Sequence, residues 1–63
     1  MRMPGEVRFS EIRKMLEAKG YSLTRVNGSH QVFTKPDARS VPIPVHRGMV
    51  KPAYVRMVKK LEA

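Results

Sequence analysis

Two histidines, His30 and His46, stand sixteen residues apart in a chain with a large excess of cationic side chains. Imidazole changes charge nearest neutral pH, so it is the side chain best suited to giving and taking protons there. A basic setting selects a polyanion as the thing acted on. On RNA the proton to remove is that of a ribose 2′-hydroxyl, whose oxygen then attacks the adjacent phosphorus. His30 is the sharper candidate for the base, and His46 is a second candidate acid or base. Each has a plainer reading, His30 as a hydrogen-bonded structural residue and His46 as a phosphate contact or a solvated loop side chain. On residue pattern alone the plainer reading is the commoner one. Two histidines with no Asp or Glu near either do not make a metal-ligand set, so neither metal nor other cofactor is expected.

Around the histidines lie Arg25, Ser29, Lys35, Arg47 and Lys51, the candidate RNA contacts, with Arg39 nearby. Cations there would position phosphates and neutralise developing charge. Arg13, Lys14, Lys19, Arg56, Lys59 and Lys60 read instead as the wet faces of two amphipathic helices.

Those groups need elements to hold them. Asn27-Gly28 is the strongest short hairpin signal in the chain, since a type I′ turn needs positive φ at both central residues. Taken as the loop, it pairs strand 21–26 with strand 29–35 so that Val26 faces Ser29, Arg25 faces His30, Leu23 faces Val32 and Tyr21 faces Thr34. One sheet face then collects Tyr21, Leu23, Val32, Arg25 and His30, and a one-residue slip would invert it. Residues 35–38 form a turn, and a third strand over 40–45 carries Pro42 and Pro44. Prolines two apart remove donors from one side only, which predicts an edge strand bonded to the second strand by its other side.

Before the hairpin, Ser10 is the expected N-cap of a helix whose Ile12, Met15 and Leu16, with Phe9 just ahead, share a face. Gly20 is its expected stop. After a loop at 46–48, Pro52 opens a second helix to about residue 61 with a buried stripe of Tyr54, Met57, Val58 and Leu61. Residues 1–8 read as a loose lead-in. The order α-β-β-β-α implies an α+β fold, a three-stranded antiparallel sheet with two helices on one face, in one domain over 1–63.

The totals narrow the function further. Thirteen Lys and Arg against five Asp and Glu give a formal charge of +8 over 63 residues, which points to RNA or DNA ahead of an anionic membrane. A domain this small buries about 60% of its unfolded surface and has no room for a deep substrate pocket. The chain has no cysteine and no apolar run near a membrane span, and a cytoplasmic location is expected. With no Trp and 6% aromatic residues, a platform of several stacked bases is not expected.

The helix ending Lys19-Gly20-Tyr21, the triplet Gly28-Ser29-His30 and the stretch Pro44-Val45-His46-Arg47-Gly48, in this element order, resemble the HicA family of toxins over residues 9–62. The resemblance implies a fold similar to double-stranded-RNA-binding domains, ribonuclease activity on messenger RNA, and a HicB antitoxin that covers the active surface. It carries a catalytic role onto the histidine of Gly-Ser-His, His30 here, and none onto His46. The expected function is thus a metal-independent endoribonuclease toxin. The alternatives are a non-catalytic RNA-binding module of the same fold and a domain whose charge captures an acidic protein.

Overall fold

The structure, a computed structural model, describes residues 5–61. The first four residues of the expected lead-in lie outside them. In chain order the elements are β1 (Val7–Arg8), α1 (Phe9–Ala18), β2 (Ser22–Asn27), β3 (His30–Thr34), β4 (Val41–Pro44), β5 (Met49–Val50) and α2 (Pro52–Lys60). An antiparallel sheet in the order β2-β3-β4 and a two-stranded pairing of β1 with β5 share the backbone ladders. The fold is α+β, with the helices of the expected order and two further short strands.

Those short strands change how the chain begins. Val7 pairs with Val50 and Arg8 with Met49, so these two residues are not part of a loose lead-in. The pairing holds the chain extended up to Arg8, whose φ and ψ of −68° and 145° make it the N-cap. Ser10 therefore falls inside the first turn of α1 rather than at its cap, and no side chain caps the helix. At the other end Gly20 has φ of 92°, its N–H donates to the Glu17 carbonyl at 3.0 Å, and the Tyr21 N–H donates to that of Leu16 at 2.9 Å. These two bonds make a Schellman stop, which satisfies carbonyls the helix leaves open.

The hairpin register differs from the expected one. Asn27 pairs with His30, Val26 with Gln31, Arg25 with Val32, Leu23 with Phe33 and Ser22 with Thr34, with an irregularity at Thr24. The turn residues are Gly28 and Ser29, and of the two only Gly28 has positive φ, 62°. That pattern fits a type II′ turn, which needs glycine at its first central position and leaves Asn27 free to end the strand. Arg25, Val32 and His30 still share one sheet face, while the irregularity at Thr24 moves Leu23 to the face of Phe33. Phe33, fully buried, turns inward with Val41 and Ile43, while Arg25 stands across from Val32 and not from His30.

The core joins Ile12 and Leu16 of α1, Phe33, Val41 and Ile43 of the sheet, Val50, and Val55 and Val58 of α2, with Tyr21. Phe9 packs at 6.0 Å from the Phe33 ring, tilted by 50°. In α2 and at its C-cap, Val55 and Val58 are buried and Tyr54 and Leu61 pack against the core, as expected for all but Val55, whereas Met57 is 37% exposed and lies off the expected stripe. β4 is an edge strand, as its two prolines require, with Pro42 and Pro44 in register with Val32 and His30.

Candidate functional site

The site is assembled where β4 runs out toward β5. Gly28 and Ser29 turn the chain back so that His30 opens β3, and His30 pairs with Asn27 on one side and Pro44 on the other. The ladder continues one step beyond β4, because the Val45 N–H donates to the Ser29 carbonyl at 2.8 Å. This bond ties the residue before His46 to the residue before His30.

His46 then begins a tight hairpin of its own. Its N–H and carbonyl exchange two bonds with those of Met49, both at 2.9 Å. Between them Arg47 and Gly48 have φ of 53° and 77°, the two positive values of a type I′ turn. The turn is anchored from outside: the Phe9 N–H, one of the donors that α1 leaves open, reaches the Gly48 carbonyl at 2.8 Å, and β1 pairs with β5 alongside. Lys51 follows as N-cap of α2, with its carbonyl accepting from Tyr54 at 3.0 Å and Val55 at 3.2 Å.

These segments enclose an open-sided cavity of about 330 Å³. Ser29, His30, His46 and Lys51 line it with polar groups, and Pro44, Val45, Met49 and Tyr54 with apolar surface. Both histidines and Lys51 are exposed, whereas Tyr54 and Met49 are half-buried and Tyr54 also packs on the core. Two imidazoles and an ammonium around one hollow can hold an anion and move protons beside it.

The other candidates are distributed unevenly. Arg47 is exposed on the turn next to His46, outside the lining. Arg25 occupies the outward sheet face two pairs along from His30. Lys35 is held elsewhere: its Nζ donates to the Lys19 carbonyl at 3.1 Å and sits 5.1 Å from the Tyr21 ring centroid, at the end of β3 away from the cavity. Lys19 in turn donates to the Leu61 carbonyl at 2.7 Å, so these two lysines join the C-terminal ends of both helices. Asn27 ends β2 instead of occupying the turn.

Sequence reasoning did not assign Tyr54 and Met49 to the site. Tyr54 was legible as a core-stripe residue, and its second environment comes from Pro52, which starts α2 so close to Lys51 that the first helical turn forms a cavity wall. Among the described residues, no three His, Cys, Asp or Glu side chains gather as a metal group, and no helix is long and apolar enough to cross a membrane.

Comparison with curated proteins and with solved structures found no match. The family model for the HicA toxin of bacterial toxin–antitoxin systems matches residues 9–62, from the first residue of α1 to just past α2, and so takes in the whole cavity. The chain belongs to the HicA toxin family, and with that membership comes a cognate antitoxin as its partner.

Proposed function

We propose that this toxin is an endoribonuclease that cleaves messenger RNA at the cavity, without a metal. His30 is the general base: it takes the 2′-hydroxyl proton, the 2′-oxygen attacks the adjacent phosphorus, and the 5′-oxygen of the next nucleotide leaves. His46 is the group positioned to return a proton to that oxygen, which leaves a 2′,3′-cyclic phosphate and a 5′-hydroxyl. Lys51 and Ser29 hold the phosphate, while Arg47 and Arg25 guide the strand on either side. Lys35 is committed to the helix ends and contributes to the field of the molecule more than to the site. The antitoxin partner is a HicB-like protein that covers this surface.

The observation that carries this reading is the meeting of both histidines and Lys51 around one hollow, within the matched part of the family. One acid or base contributes roughly 10²- to 10⁴-fold, enough for a toxin acting slowly on a long message. The test uses messenger RNA with chelator present, and wild-type, His30→Ala and His46→Ala proteins shown to be folded. Cleavage by the wild type that falls at least about 100-fold in His30→Ala is expected. Intact RNA with the wild type, or equal cleavage by His30→Ala, overturns the reading in favour of a binding module.

A further inference from the structure

We infer that the cavity seats a single unpaired nucleotide, with its base against Tyr54, so that the preferred ligand is single-stranded RNA and not a duplex. This rests on the reading of RNA as the ligand, but not on cleavage. The volume of about 330 Å³ lies at the small end of the roughly 300–1,000 Å³ typical of ligand sites. It suits one planar ring with its sugar and excludes a stacked base pair.

The chemistry of the walls is divided in the same way as a nucleotide. Pro44, Met49 and Tyr54 offer apolar and aromatic surface, while His30, His46 and Lys51 offer polar and cationic groups. An apolar base face belongs against the former, and the sugar-phosphate against the latter. A duplex gives no such ligand, because its bases are stacked and its wide minor groove is read by shape across protruding surfaces. Bases of single strands can be splayed out and stacked on an aromatic ring.

Tyr54 is suited to this for a second reason. It packs on the core cluster and is carried on the first turn of α2, whose start is fixed by Pro52 and by the Lys51 carbonyl bonds. A ring held on one side by the core loses little freedom when a base stacks on the other. Tyr54 is therefore a positioning residue, which sets where along the strand a ribose meets His30.

Fluorescence anisotropy with fully 2′-O-methylated RNA tests the idea, since that RNA lacks the nucleophile and stays intact whether or not the protein is a nuclease. A ten-nucleotide strand, its duplex, and a set of strands with one abasic position each are titrated against wild type, Tyr54→Phe and Tyr54→Leu. The expected results are a Tyr54→Leu loss of about tenfold on the single strand, retention in Tyr54→Phe, and less than about twofold change on the duplex. One abasic position should cost the wild type about the same factor and leave Tyr54→Leu unaffected. Equal losses on single strand and duplex, or tighter binding of the duplex, overturn the inference. If Tyr54→Leu does not fold, the abasic series with wild-type protein decides alone, and a flat series overturns it.

Discussion

Arg47 holds a backbone conformation that arginine adopts only at a cost. Its φ of 53° places it in the left-handed region, where a Cβ is crowded and where Asn, Asp and Gly are the usual occupants. Asp37, the other such residue among those described, has φ of 63° and is of a type that tolerates it. Under the proposed function, the arginine in that position beside His46 serves the RNA and not the turn. Arg47→Asn should therefore raise stability by about 0.5–1 kcal/mol while weakening RNA binding and lowering the salt slope of log K by roughly one. Urea unfolding and salt-dependent titration measure the two effects separately. Lower stability together with an unchanged slope would show that the guanidinium serves the fold and not the ligand.

At the scale of elements, the α1 stop has a distinct requirement. A Cβ on Gly20 would lie 3.4 Å from Cδ of Lys35, ordinary contact, so space does not forbid a larger residue; the φ of 92° does. Gly20→Ala should cost about 1 kcal/mol or more in chemical unfolding, and a null result would mean the Schellman turn relaxes freely. Gly20 was legible because a helix stop depends on residue type and local spacing. So were the helices, through Ile12 and Leu16 or Tyr54 and Val58, and the edge position of β4, through its prolines. The register of the first hairpin was not, because Asn27-Gly28 and Gly28-Ser29 are both acceptable two-residue loops, and the irregularity at Thr24 that brings Leu23 across from Phe33 has no signal in the local residue pattern. With the register went the facing of Arg25 and His30. Val7–Arg8 and Met49–Val50 are too short to show a period, and neither strand forms without the other. His30 was legible as a candidate from Gly-Ser-His, whereas its meeting with His46 and Lys51 around the cavity depends on the Val45 to Ser29 bond and the turn at Arg47, which no local pattern specifies.

At the scale of the whole molecule, a formal charge of +8 on 63 residues is a long-range field as well as a set of contacts. It draws polyanions in and keeps copies apart, and it favours an acidic surface on the antitoxin. Binding to the native state alone stabilises it by mass action, by about 4 kcal/mol when the free partner exceeds its dissociation constant a thousandfold. Calorimetry of the toxin with and without its cognate antitoxin should show the complex melting higher, and the association rate should fall as salt rises. A rate insensitive to salt would indicate that the interface relies on apolar contacts such as Val26, 57% exposed.

The cavity draws on residues from Ser29 to Tyr54, among them Met49, which pairs with Arg8 of β1. A nascent chain whose synthesis has not passed α2 therefore lacks the Tyr54 wall and the core contacts of Val55 and Val58. Such a chain has both histidines but no site to place them in. If the proposed site carries the toxicity, translation must run almost through the matched region before the product can harm the cell that makes it, and messages broken upstream of α2 yield fragments without that capacity.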